Sequence, residues 1–176
     1  GASIAKEISL GKKVGILDLT RGELGTRGSA EIRDKESAAA AKILNIKIRE
    51  NLSFSDGFFI NDKHHQIEII KIIRKYRPEV VFCNAVDDRH IDHPKASQLV
   101  SASCFLSGLT KINTKLDGSN TFQEEWRPKF IYHYLQWKNI SPDICVDISD
   151  FMTIKLKAVM AYKSQLISYD ILFVNS

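Results

Sequence analysis

Two histidines and three aspartates fall within seven consecutive residues, Asp87-Asp88-Arg89-His90-Ile91-Asp92-His93. His and Asp are the side chains that ligate divalent metals and carry protons near neutral pH. His90 and His93 stand three positions apart with Asp92 between them. In a turn that enters a helix, two such imidazoles can converge on one ion, or one can bind while the other faces a substrate. Asp92 can orient an imidazole by accepting its second N–H. The competing reading is a solvated loop with a helix cap. The apolar run Val80-Val81-Phe82-Cys83 just upstream favours function, because open α/β sheets bind ligands outside the carboxyl ends of their strands.

A hydrolytic zinc site takes about three protein ligands and keeps one position for water. The other histidines do not complete the set. His64-His65 opens a solvent-facing helix, and His133 between Tyr132 and Tyr134 reads as a satisfied core or edge histidine. The stretch Thr20-Arg21-Gly22-Glu23-Leu24-Gly25-Thr26-Arg27-Gly28 also follows a strand and precedes a helix. It matches neither the dinucleotide fingerprint nor the Walker pattern. Its glycines let Arg21, Glu23 and Arg27 approach a small polar ligand; the alternative is a plain surface loop. Arg33 lies in the first turn of the next helix, where a cation opposes the positive helix end. It is a candidate anion clamp, set against a solvated arginine. Asp56 in Ser55-Asp56-Gly57 is either a turn former or an acceptor for a sugar hydroxyl.

The elements that position these residues alternate. Residues 4–10 have helical periodicity, and Gly11 suits a stop. Residues 14–19 read as a strand. Residues 29–44 read as a helix, with Ala38 to Ala41 as strong helix formers. Residues 46–52 alternate as a strand does. Residues 64–76 form a helix in which Ile67, Ile70 and Ile73 face inward while Glu68, Lys71 and Arg74 face out. Residues 80–83 read as a buried strand. Pro94 fits the first turn of a helix reaching residue 107, capped by Asp92 or His93. Residues 111–128 look irregular, residues 130–137 and 144–148 read as strands, and Ser149 or Asp150 caps a last helix over 151–163. An apolar run, Ile171-Leu172-Phe173-Val174, lies near the end. Strands separated by helices imply an α/β fold with a mostly parallel sheet and helices on both faces.

Composition narrows the partners. The 176 residues are 44% hydrophobic and 26% charged, enough for one domain with its own core. The net charge of +4 is modest and its lysines and arginines are scattered, so no nucleic-acid partner is expected. No apolar stretch has the length of a membrane span, so no membrane partner is expected. Cys83, Cys104 and Cys145 are odd in number, far apart and each in an apolar segment. They read as buried free thiols of a reducing compartment, which implies a cytoplasmic location.

Several of these segments together resemble the LmbE-like (PIG-L) family of zinc-dependent N-acetylglucosamine deacetylases, in particular its bacillithiol-biosynthesis branch. The resemblance rests on Asp18-Leu19 with the loop 20–28, Glu31-Ile32-Arg33-Asp34, Asp56-Gly57-Phe58-Phe59 and Asp87 to His93. Trp126-Arg127-Pro128-Lys129 and Tyr132-His133-Tyr134 extend it, so that it covers residues 1–165. It implies a Rossmann-like fold and metal-assisted amide hydrolysis, with Zn2+ or another divalent metal as cofactor. It implies a small-molecule amino-sugar substrate, with N-acetylglucosaminyl-malate the expected compound, and a homo-oligomer. His93 corresponds to a metal ligand, His90 to the imidazole at the carbonyl or leaving amine, and Asp92 to its orienting partner. Arg33, Glu23 and Asp56 correspond to positions that hold the sugar or its aglycone, whose malate carboxylates suit Arg33. The family's remaining ligands and its general base belong to an Ala-His-Pro-Asp-Asp motif that this sequence lacks. The chain is therefore expected to be a single domain over 1–176 without the family's first strand and C-terminal part. A non-catalytic module that binds a sugar or a partner subunit is the alternative.

Overall fold

The computed structural model describes residues 1–116 and 118–166. The chain divides into two compact units, Gly1–Asp56 with Asp143–Ser176, and Gly57–Pro142.

The first unit opens with helix α1 (Ala2–Ser9), stopped by Gly11 at φ +80°. Strand β1 (Gly15–Asp18) pairs in parallel with β2 (Ile48–Asn51), in register from Gly15 opposite Ile48 to Asp18 opposite Asn51. Helix α2 (Ala30–Ile43) makes the crossover. The Ser29 hydroxyl accepts the Ile32 N–H, satisfying one orphan donor of the first turn. Ala40 and Ala41 then join Ala5, Leu44, Ile46 and Ala158 in the buried core.

In the second unit Asp62 caps helix α3 (Lys63–Tyr76) by accepting the His65 N–H. Strand β3 (Val80–Cys83) pairs in parallel with β4 (Phe130–His133), and α4 (Asp92–Leu106) lies between them in the chain. Helix α3 packs on α4, with Ile69, Ile70, Ile73, Leu99 and Cys104 buried. The α/β class with parallel strands is as the alternation predicts.

Several local expectations fail. Arg74 is buried, not outward. Its guanidinium donates to the carbonyls of Ser107, Leu109 and Ile112 and to the Thr114 hydroxyl, beyond the end of α4. Val80 and Phe82 are 40% and 60% exposed, so β3 is buried on one side only. Strand β4 stops at His133 because its partner stops at Cys83, the Tyr134 N–H closing onto the Cys83 carbonyl. Residues 144–148 form no strand; Ile144 and Val146 are 60% and 44% exposed and have no ladder partner among the described residues. Neither Asp92 nor His93 caps α4, whose N-cap is Ile91 with no side-chain bond. Likewise neither Ser149 nor Asp150 caps the last helix. A 3-10 turn (Ser149–Phe151) leads into α5 (Met152–Met160), and Asp147 accepts from the Ser149 N–H and hydroxyl. Cys83 and Cys104 are buried free thiols as expected, but Cys145 is exposed. The run 171–174 lies outside the described residues.

Candidate functional site

The candidate residues form two clusters, one in each unit. Both grow from loops that leave the carboxyl ends of parallel strands, where the ladder ends and side chains are free of the sheet.

In the second unit the loop after β3 turns tightly into α4. The His93 N–H bonds the His90 carbonyl at 3.1 Å, and this turn stacks the two imidazoles with centroids 4.9 Å apart. The Asp92 backbone N–H donates to Nδ1 of His90 at 3.3 Å. A neutral ring that accepts at Nδ1 carries its proton on Nε2. His90 thus presents an outward N–H donor. The Asp92 carboxylate does not take a ring N–H as expected from sequence. It is buried, accepts the Gly57 N–H at 2.7 Å, and meets Lys95 Nζ at 3.2 Å. Lys95 also donates to the Gly57 carbonyl at 2.7 Å. Asp92 and Lys95 together hold both backbone groups of a left-handed glycine at φ +75°.

Asp88, given no role by the sequence, is central here. Its side chain is 2% exposed. Oδ1 accepts the His90 N–H at 3.0 Å, which is the main reason its carboxyl is held below the usual carboxylate range. The same oxygen lies 3.1 Å from His93 Nδ1. His93 Nδ1 and Asp88 Oδ2 are both buried without a hydrogen bond that meets the usual geometry. The available signal was the pair of adjacent acids, Asp87-Asp88, which sequence could not rank. Asp87 instead pairs with Lys138 at the surface, and the Arg89 guanidinium lies 4.4 Å over the Trp137 ring.

His133 is a satisfied histidine. Its Nδ1 lies 2.9 Å from both the Ser97 hydroxyl and the Asn84 carbonyl, with Cys83 Sγ at 3.3 Å. Burial pushes the Cys83 thiol up to about 11, which removes it as a nucleophile. His65 Nδ1 meets Asp62 at 2.7 Å within the start of α3.

In the first unit the loops after β1 and β2 interlock. Glu23 accepts the Asp56 N–H at 2.8 Å, which holds its carboxyl low. Asp56 Oδ2 accepts the Leu24 N–H at 3.1 Å, and Oδ1 meets the Thr20 hydroxyl at 3.4 Å. Each carboxylate therefore shapes the other's loop. Arg21 is bound to Asp34, with Nε 3.1 Å from Oδ2, and to Glu31 at 3.5 Å. The loop glycines make room for Arg33. A Cβ on Gly25 would lie 2.6 Å from Arg33 Nη2, and one on Gly22 would lie 3.4 Å from its Cζ. Arg33 Nε is buried without a hydrogen-bond partner. A concavity of about 540 Å³ lined by Asp18, Lys42 and Arg49 includes none of the six candidates.

A divalent metal tests this donor set. His93 has Nδ1 beside a buried carboxylate and, among the described residues, no partner on Nε2, the arrangement of a metal-binding imidazole. Among the described residues no three His, Cys, Asp or Glu side chains converge on one point. The residues present therefore fit one donor of a metal centre and not a complete one.

Parallel strands joined by helical crossovers define a Rossmann-like α/β fold in each unit's strand pair. The chain belongs to the PIG-L family, described as GlcNAc-PI de-N-acetylase, whose model matches residues 1–104. It is similar to the diacetylchitobiose deacetylase of Thermococcus kodakarensis, with 29% identity over 177 aligned positions. That match covers 94% of this chain but only 64% of the relative, so the chain spans under two thirds of its length. Among solved structures it resembles the conserved protein TT1542 from Thermus thermophilus, with TM-score 0.84 and 38% identity over 93% of this chain and 71% of that one. It also resembles an N,N'-diacetylchitobiose deacetylase from Pyrococcus horikoshii complexed with its inhibitor MPG, with TM-score 0.80 and 28% identity. That match covers 95% of this chain and 65% of the other. No helix among the described residues is long and apolar enough to cross a membrane.

Proposed function

We propose that the whole protein is a metal-dependent deacetylase that hydrolyses the acetamide of an N-acetylglucosaminyl compound, with N-acetylglucosaminyl-malate the best-fitting substrate. The observation that carries this reading is the stacked pair His90 and His93, which offer different nitrogens within a chain of this family. His93 would hold the metal, through Nε2. Among the described residues no two further donors join it on one point. When bound, Zn2+ or another divalent ion would supply Lewis acidity and a more acidic water.

The chain's own residues handle the acyl oxygen and the anion. Water adds to the acetyl carbon, the C–N bond breaks, and acetate and the free amine leave. The Nε2–H of His90 donates to the carbonyl oxygen as negative charge grows there, a contact worth about 2.7–4 kcal/mol in comparable oxyanion sites. Asp92 positions that ring through its backbone N–H. Arg33 pairs with a carboxylate of the aglycone, and Glu23 and Asp56 accept sugar hydroxyls with the lone pairs their loop bonds leave free.

The absence of a three-donor group among the described residues favours a second reading, a sugar-binding module without turnover. The test is acetate release by the whole protein, zinc-loaded, from N-acetylglucosaminyl-malate and from N-acetylglucosamine. Release that falls about 100-fold or more in His90→Ala supports the first reading. Sugar binding with no acetate release from wild type supports the second.

A further inference from the structure

We propose that Asp88 is a positioning residue that sets the two histidines into opposite tautomers, His90 with its proton on Nε2 and His93 with its proton on Nδ1. This rests on the deacetylase reading only for its purpose, since the geometry stands without it. The Asp88 carboxylate is nearly sealed from solvent, and one oxygen lies beside both members of the pair. It accepts the His90 backbone N–H at 3.0 Å, which fixes the turn. It lies 3.1 Å from Nδ1 of His93. A buried carboxylate beside a ring nitrogen favours the tautomer that places a proton between them.

On His90 the logic reverses. There a backbone N–H, from Asp92, points at Nδ1 and forces the proton to Nε2. Two rings stacked 4.9 Å apart thus differ in kind. His90 offers a donor, and His93 offers a lone pair. Without Asp88, His93 is free to protonate Nε2 and lose that lone pair. Asp88 Oδ2 and His93 Nδ1 are both buried with no other hydrogen-bond partner, so each is the polar group the other has at hand. Neither neighbouring acid does this, since Asp92 is bound to Gly57 and Lys95 and Asp87 to Lys138.

The test uses the whole protein, stripped of metal, at pH 8, with 15N-labelled histidine and two-bond 1H–15N correlation spectra. Wild type should show His93 protonated mainly on Nδ1 and His90 mainly on Nε2. Asp88→Asn keeps the size and lets the amide oxygen go on accepting the His90 N–H, but removes the negative charge beside His93 Nδ1. It should shift His93 toward the Nε2–H form and weaken zinc binding about 10–100-fold. A wild-type spectrum with His93 mainly protonated on Nε2 would overturn the proposal, even if no variant folds. So would unchanged tautomers and zinc affinity in a folded Asp88→Asn. Wild type that releases no acetate but shows the expected tautomers counts against the deacetylase reading and leaves the role of Asp88 intact.

Discussion

Replacing Arg74 tests how the second unit holds together, and the structure gives the size. Its guanidinium makes bonds of 3.0 Å to the Ser107 carbonyl, 2.6 Å to Ile112, 2.9 Å to Leu109 and 3.0 Å to the Thr114 hydroxyl. These partners are all neutral. In Arg74→Met the Ser107 carbonyl keeps the Trp126 N–H and the Leu109 carbonyl keeps the Ile112 N–H. The Thr114 hydroxyl can rotate. Only the Ile112 carbonyl is orphaned, at about 1–3 kcal/mol. Lost charge-assisted bonds add to this, and relief from desolvating the guanidinium, which Glu125 offsets only in part, subtracts. The net cost should be about 2–3 kcal/mol. Arg74→Lys keeps the buried charge, but a compact ammonium cannot span the three carbonyls, so it should cost more, about 3–5 kcal/mol. Trp126 and Trp137 both lie in this unit, so urea unfolding followed by tryptophan fluorescence reports on it directly. With a urea slope of about 1–3 kcal/mol/M, the Met midpoint should fall by about 1–2 M. A Lys variant as stable as wild type, or a Met cost below about 0.5 kcal/mol, would refute this account of the buried arginine.

Three further outcomes follow from the two clusters and the cysteines. Arg33→Ala should raise KM for N-acetylglucosaminyl-malate about 10–150-fold, the worth of one charge-assisted contact, with a much smaller change for N-acetylglucosamine; equal effects would remove the carboxylate role. Gly25→Ala places a methyl group 2.6 Å from Arg33 Nη2 and should reproduce part of that KM effect, about tenfold, with little change in melting temperature. A large stability loss without a KM change would show that the loop, not the guanidinium, yields. For the thiols, burial pushes Cys83 up to about 11 and Cys104 up to about 12, while Cys145 is exposed. At pH 8 a thiol reagent should label one cysteine quickly in the folded protein and three after denaturation, and two fast thiols in the native state would contradict this burial.

Much of the framework was legible from local pattern. Val14 to Leu19, the alanine run in α2 and the isoleucines of α3 declare period and type within a few residues. Their placement also puts the loops 20–28 and 84–91 after strands, where open α/β sheets bind ligands. A hydrogen bond partner far along the chain leaves no such mark. Arg74 reads as an outward cation until carbonyls more than 30 positions away surround it. Residues 144–148 alternate like a strand, but a strand exists only where a ladder partner lies alongside.

The chemistry of the site divides in the same way. Residue types and a three-residue spacing were enough to name a pair of imidazoles, a nearby carboxylate and a candidate anion clamp. Which nitrogen of each ring is free was decided by the folded turn 88–93 and by what draws the Asp92 carboxylate away from it. The Asp92 carboxylate turns to Gly57, 35 positions away, and leaves its backbone N–H to His90. Asp88, one of two adjacent acids, is the one that is buried. A side chain's proton follows the partners that reach it in space, and those partners are set by packing, which no stretch of sequence carries alone.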